Sequence, residues 1–318
     1  MGGARAAKPA VSIVILTKNE ETRIGGCLRS VFAQDFDGSV EVLVIDSGST
    51  DHTLDIVAAT SARLLRIPPE EFHHGRTRHL GVLSTTAPLV VLLNGDATPA
   101  DERWLSGLVQ AVDRPEVGAA YSRQRPYPGA FPMEEFFLQF VYPPAPANGS
   151  AGHLRIMPTF FSTVSCILKR SAYELEPFSA AMIMSEDQEW SVRITRRNLQ
   201  VVYAPESEVL HSHNYTLTRA FRRFFDAGMT AKASYLQRNP GNWTALLRRA
   251  VAYPFAEGAF LLRSGRAHWL PYAALYDLLK LLGFGCGLGY RFLPPSILQR
   301  VSLYATPATA GNRLTPRD

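Results

Sequence analysis

The sequence predicts an α/β protein: an open, mostly parallel sheet covered on both faces, followed by a helical carboxyl-terminal extension. Three observations predict it. Short apolar runs alternate with amphipathic segments through the first third of the 318-residue chain. Those runs are continuous rather than alternating, as in strands buried on both faces. The last third keeps a helical character while mixing aromatic residues with arginine. At 46% apolar residues the chain can bury one large core, alone or with a smaller appendage.

The first strand covers residues 11–16, and a helix over 21–34 sets Ile24, Cys27, Leu28, Val31 and Phe32 on one face. The second strand is 42–46. A helix starting near the capping residues Ser49 or Thr50 carries Leu54 and Val57 inward. A strand at 63–67, a helix around Leu80 and Leu83 and a strand at 89–93 complete the βαβα pattern. Residues 127–150, rich in proline, glycine and aromatics, read as a loop or lid between two functional halves. A helix from Glu186 through Arg197, a strand at 199–203 and a turn into VLHSH at 209–213 follow. Beyond Leu217, residues 217–238 mix Phe221, Phe224, Phe225 and Tyr235 with Arg219, Arg222, Arg223 and Lys232. Residues 272–292 are apolar but interrupted by Asp277, Lys280 and Arg291, so a surface-lying helix is expected rather than a membrane span.

Cys27, Cys166 and Cys286 are widely spaced, odd in number and form neither a CxxC pair nor a disulfide framework. Together with an amino terminus that lacks a signal core, they predict a cytoplasmic protein. A net charge of +5, concentrated in the arginines of the second half, favours anionic partners: lipid headgroups, diphosphates or nucleic acid.

Polar clusters fall where three strands end: Thr17, Lys18, Asn19 and Glu20 after the first, Asp46 through Asp51 after the second, and Asn94, Gly95 and Asp96 after the strand at 89–93. One such cluster reads equally well as a cap or turn. Three aligned at the carboxyl ends of parallel strands, where ligands of open α/β sheets sit, point to a site.

The order VSIVILTKNE, VLVIDSGSTD, GRTRHLG, LLNGDA resembles the nucleotide-binding half of glycosyltransferase family 2, with a likeness extending over residues 10–240. The resemblance implies a GT-A fold with a catalytic domain at 1–214, its nucleotide half about 10–125 and acceptor half about 126–214, and a helical extension at 215–318. It implies that Asp46 reads a pyrimidine base, that Arg78 contacts the nucleotide, and that Thr17, Asn19, Glu20, Ser47, Asn94 and Gly95 complete the nucleotide site. Asp96 closes a DxD-like motif, here NGD, and would hold a divalent cation, Mg²⁺ or Mn²⁺, on the diphosphate, with Asn94 in place of the first aspartate. The cation is needed because the departing nucleoside diphosphate gains charge as the glycosidic bond breaks. His211 is the better candidate for a second protein ligand, His213 the lesser.

Glu186 and Asp187, in MSEDQEW, match the ED motif that supplies the general base of inverting members, with Asp187 the expected base. Two acids at a helix start also interact favourably with the macrodipole. The segments FHHGRTRHLG and SHNYTLTRAFRRFFDAG resemble rhamnosyltransferases of surface polysaccharide assembly. That implies a dTDP- or UDP-sugar donor, dTDP-L-rhamnose foremost, and a saccharide or lipid-linked acceptor. The basic and aromatic helices after Leu217 would then rest on an anionic inner membrane surface, or pack on the core or on a second copy of the chain. Two other classes fare worse. A dinucleotide oxidoreductase needs GxGxxG after the first strand, where this chain has TKNEE, and the glycines at 283, 285, 287 and 289 follow a helical segment. A nucleic-acid-binding protein would leave Asp46, Asp96 and Asp187 unexplained and shows no RNP, zinc or helix-turn-helix pattern, so nucleic acid is not an expected partner.

Overall fold

The computed structural model describes residues 8–144, 160–180, 182–231 and 242–304, the side chains of 242–247, 249 and 250 excepted. The chain runs β1 (Val11–Thr17), α1 (Ile24–Phe32), β2 (Val40–Asp46), α2 (Thr53–Ala58), β3 (Arg63–Arg66), α3 (His74–Leu83), β4 (Leu89–Asn94), β5 (Thr98–Pro99) and α4 (Trp104–Ala111). It continues through β6 (Val117–Arg125), α5 (Pro132–Val141), β7 (Ser165–Lys169), α6 (Arg170–Leu175), α7 (Glu186–Thr195) and β8 (Gln200–Leu210). Four helices close it: α8 (Leu217–Ala231), α9 (Asn242–Arg263), α10 (Leu270–Leu288) and α11 (Pro295–Val301).

The strands form one sheet in the order β3-β2-β1-β4-β7-β6-β8-β5. β1 pairs in parallel with β2 and β4, β2 with β3, and β6 with β8, whereas β7 and β5 run antiparallel to their neighbours. The carboxyl ends of β1, β2, β4, β6 and β8 therefore share one edge, which is where the predicted polar clusters lie. Continuous apolar strands supply both faces. Val11, Ile13, Ile15, Val44, Val91 and Leu93 pack toward α1, α2 and α4. Val14, Leu43, Ile45, Val90 and Leu92 pack toward α3, α5, α6 and α7.

Three local expectations change. α2 starts at Thr53, because Ser49 Oγ accepts from Asn19 N (2.8 Å) and Thr50 N donates to Asn19 Oδ1 (2.8 Å), which leaves Asp51 Oδ1 to accept from Thr53 N (3.0 Å). The stretch 127–150 is not all loop: α5 occupies its middle, with Pro132 in the first turn, where proline costs no hydrogen bond, and Met133, Leu138 and Val141 buried. The rest of that stretch from 145 lies outside the described residues. The strand expected at 199–203 runs on to Leu210, so no turn precedes VLHSH. Its register with β6 shifts between the Ser122/Ala204 and Arg123/Glu208 pairs, a bulge that accommodates Pro205.

The carboxyl-terminal helices pack unusually tightly. A Cβ at Gly287 would fall inside contact distance of Phe225 O and 3.0 Å from Gly228 Cα, and one at Gly283 would strike Phe221 O. Gly283 and Gly287 thus mark the crossing of α10 over α8. Lys232 and Tyr235 lie outside the described residues, while Arg222 and Arg223 turn inward: Arg222 Nη2 donates to Ser302 O (2.6 Å) and Arg223 reaches Met184 Sδ. They do not form the open basic face expected of this segment.

Candidate active site

The loops after β1 and β2 are bonded into one unit. Glu20 N donates to Thr53 Oγ1 (2.7 Å), and Ser47 donates to Thr17 O through both its backbone N–H (3.1 Å) and its hydroxyl (3.3 Å). Asn19 adopts φ 55°, a conformation asparagine tolerates better than most side chains. Asp46 is fully buried, and its carboxylate accepts from Gly48 N (2.9 Å), Ser49 N (3.0 Å) and Ser49 Oγ. Its carboxylate thus shapes the 47–49 turn. Gly95 sits so close to β1 that a Cβ there would meet Thr17 Oγ1 at 2.9 Å, and Gly95 N donates to Leu16 O (2.8 Å).

Arg78 joins two motifs far apart in sequence. Projecting from α3, only 4% exposed, it pairs through Nη1 with Glu186 and donates through Nη2 to Asn94 Oδ1 (3.2 Å). Glu186 is 3% exposed, and burial raises its carboxyl to about 6 against the pull of Arg78. The preceding Ser185 has φ 62°, so the chain enters α7 through a strained turn. Asp187 is half-buried: Oδ2 accepts from Thr163 N and Oγ1 (both 3.3 Å) and Oδ1 from Gln188 N (2.8 Å).

At the same sheet edge Asp96, His211 and His213 form a group whose ligand atoms lie within 4.8 Å of one another. Asp96 Oδ2 is 3.6 Å from His211 Nε2 and 3.5 Å from His213 Nε2. Ligand atoms around one ion at ~2.1 Å bond lengths sit roughly 3–3.5 Å apart, so the spacing suits a shared cation. His211 Nδ1 bonds Gln124 Oε1 (2.9 Å), while its buried Nε2 has no hydrogen-bond partner. That is the tautomer a metal ligand needs, with the second ring nitrogen held by a neighbouring acceptor. Burial opposes ionisation of Asp96, yet His211 and His213 hold its carboxyl down to about 2. Burial first, then His211, lowers His213 to about 4, leaving a neutral imidazole. Glu20, from the β1 loop, is raised to about 7 by burial and then by Asp96 and Asp51, which puts it within the field of this cluster.

Of the sequence-assigned residues, the edge therefore gathers Thr17, Asn19, Glu20, Asp46, Ser47, Asn94, Gly95 and Asp96 beside His211, and Arg78 links Asn94 to the Glu186–Asp187 pair. Sequence reasoning underrated His213 and missed Tyr127, whose hydroxyl donates to Asp96 O (3.2 Å) beneath the Arg23 guanidinium (3.8 Å to the ring centroid). It also missed Glu134 of α5, whose Oε1 accepts from His213 N (3.2 Å).

Residues 12–170 match the family described as Glycosyl transferase family 2. The O-antigen chain rhamnosyltransferase RfbN of Salmonella typhimurium is 31% identical over 83% of this chain and 85% of its own length. WbaN of Salmonella anatum, also an O-antigen chain rhamnosyltransferase, is 28% identical over 93% of this chain and 95% of its own. The fold matches a mannosyltransferase of Pyrobaculum calidifontis, in complex with GDP-Man and Mn²⁺, with a TM-score of 0.57 at 21% identity over 96% of this chain and 87% of that one. S. aureus TarS in complex with UDP aligns with a TM-score of 0.50 at 15% identity over 88% of this chain and 91% of that one. Profile, relatives and sheet agree: the chain is a glycosyltransferase of GT-A fold and belongs to glycosyltransferase family 2.

Proposed function

We propose that the protein transfers L-rhamnose from dTDP-L-rhamnose to a saccharide or lipid-linked acceptor in surface polysaccharide synthesis, with inversion at the anomeric carbon. The observation that carries this reading is the Glu186–Arg78–Asn94 chain, which ties the helix bearing Asp187 to the motif ending in Asp96. A proton acceptor and a diphosphate site are thereby held in fixed relation. The choice of rhamnose is supported by the two Salmonella relatives, both rhamnosyltransferases. Residues 1–214 form the catalytic unit in this reading, and 215–318 an extension that works against the inner membrane surface where a lipid-linked acceptor resides.

Asp187 takes the proton of the acceptor hydroxyl as its oxygen attacks the anomeric carbon from the face opposite the diphosphate. The new glycosidic bond forms as the bond to the diphosphate breaks, once, hence inversion. Glu186 orients: its carboxylate is engaged by Arg78 and has no open side toward an acceptor. Asp46 and Ser47 fix the turn against which the base lies, and Thr17, Asn19, Glu20 and Gly95 shape the floor under ribose and diphosphate. Asp96, His211 and His213 would hold a divalent cation, which neutralises charge on the departing diphosphate. Two imidazoles with one carboxylate favour Mn²⁺ over Mg²⁺.

The test combines binding and stereochemistry. dTDP or dTDP-L-rhamnose with Mn²⁺ should raise the melting temperature. Asp187→Asn should cut turnover by ~10² to 10⁴-fold with donor affinity nearly kept. A product that retains the donor's anomeric configuration by NMR, or full turnover in Asp187→Asn, overturns the mechanism.

A further inference from the structure

Exposed apolar side chains are not scattered over this protein. Of the thirteen large hydrophobic residues exposed among the described residues, nine lie between Val251 and Ile297. On α10, Ala274, Leu275, Leu278, Leu281, Leu282 and Gly285 are all exposed. At 100° per residue they fall within about a third of the helix circumference. No charged residue interrupts that stripe. On α9, Val251, Phe255 and Leu262 recur at the same spacing, with Phe255 77% exposed, and Phe292 follows α10 at 92%.

The charges around these helices have one sign. The only acids in residues 242–304 are Glu257 and Asp277, and both are buried. Glu257 accepts from Tyr253 and Asp277 pairs with Lys280. Arg248, Arg263 and Arg300 are exposed. We infer that the outer face of α9 and α10 is a docking surface for an anionic lipid bilayer, with the leucine stripe at acyl depth and the arginines among the headgroups.

A second copy of the chain fits less well. A two-fold interface sets a face against itself, and here arginines would meet arginines with no acid on either side to pair them. Spanning is excluded for the described helices, none of which is long and apolar enough to cross a membrane. What remains is a helix lying in the interface, its apolar face down and its cations at headgroup level. The surface is also coupled to the site. On α5, Glu134 accepts from His213 N (3.2 Å) while the adjacent Glu135 accepts from Arg266 (2.5 Å), just beyond α9. One helix thus separates the face from the Asp96 cluster. The inference rests on the transferase reading only for its purpose, bringing the site to a lipid-linked acceptor.

The test uses the full chain and two vesicle compositions, phosphatidylcholine alone and phosphatidylcholine mixed with phosphatidylglycerol, in a flotation assay. Wild type should float with the anionic vesicles and be released progressively by salt. The Leu278→Glu, Leu282→Glu double variant should bind them at least on the order of tenfold more weakly, and Arg263→Glu and Arg300→Glu about fivefold each. Melting temperature and its shift by dTDP with Mn²⁺, measured on the same samples, report whether fold and nucleotide site survive. Retained nucleotide response with no vesicle binding in wild type, or binding untouched by the double variant, overturns the docking surface alone. So does sedimentation showing a dimer that the double variant converts to monomer without any vesicle binding. Vesicle binding that behaves as expected with no nucleotide response would instead overturn the transferase reading.

Discussion

Glu186→Gln should change how stability depends on pH, and the sign follows from burial. The carboxyl of Glu186 is raised from 4.5 to about 6, by loss of solvent first, with Arg78 opposing and Asp187 adding. A raised carboxyl holds its proton more tightly in the folded state than in the unfolded one. The contribution is fully present below 4.5 and is lost as pH climbs through about 6, since over that window the native state binds more protons. For a shift of this size the loss is ~2 kcal/mol, undiscounted because the group is almost completely buried. Glutamine does not titrate, yet its Oε1 still accepts from Arg78, so the arrangement is kept. In urea denaturation at steps from about pH 4 to about pH 8, the unfolding free energy of the variant minus that of wild type should rise by ~2 kcal/mol across the window. Any constant offset reads the difference between glutamine and the protonated carboxyl as partners of Arg78, and the tilt reads the proton. A difference independent of pH would mean that Glu186 binds its proton no more tightly in the folded state than in the unfolded one and would refute the desolvation argument.

Three further outcomes follow from other parts of the structure. His213→Ala should weaken Mn²⁺ binding in the presence of dTDP by at least on the order of tenfold in calorimetric titration, and an unchanged affinity would leave His213 outside the cluster. Gly287→Ala should destabilise by ~1–3 kcal/mol or more because its Cβ has no room against Phe225 and Gly228. Gly285→Ala, two residues away with open space, should be neutral or stabilising by up to ~1 kcal/mol in the same denaturation assay.

The sheet and the position of the site were legible because both rest on local signals. Continuous apolar runs mark doubly covered strands, and a polar cluster after each marks a carboxyl end. What was not legible depends on pairings between distant residues. Nothing near Arg78 announces Glu186, 108 positions away, so its link between two motifs had no signal in the sequence. The composition of 127–150 misled in the other direction: its prolines, glycines and aromatics suggested a loop, although Pro132 at the first turn of a helix is at home. The glycines at 283 and 287 could be told from sequence only to miss a dinucleotide turn, because their close packing depends on α8, more than fifty residues away. Arg222 and Arg223 looked like surface charge because composition shows sign but not direction.

The same distinction explains why so many of the assigned polar groups already have partners inside the protein. Asp46 is occupied by its own turn, Asn19 by Thr50, Asn94 by Arg78 and Arg78 by Glu186. In water such groups would reorient as charge moves from sugar to diphosphate, and that reorganisation would be part of the barrier. Fixed by one another in a largely buried shell, they have little left to reorganise when the leaving group departs. A buried pair such as Arg78–Glu186 is poor value for stability, since desolvation offsets much of its attraction. In the proposed mechanism its worth lies in rigidity: it holds the helix carrying Asp187 against the strand end carrying Asp96, and catalysis by positioning needs that distance constant. The groups left with capacity to act are then few: the Asp187 carboxylate, which reaches solvent, and the His211 Nε2, which faces Asp96 without a hydrogen bond. A site built this way leaves its chemistry to the few groups the network does not close off, and those are the ones proposed for proton removal and cation binding.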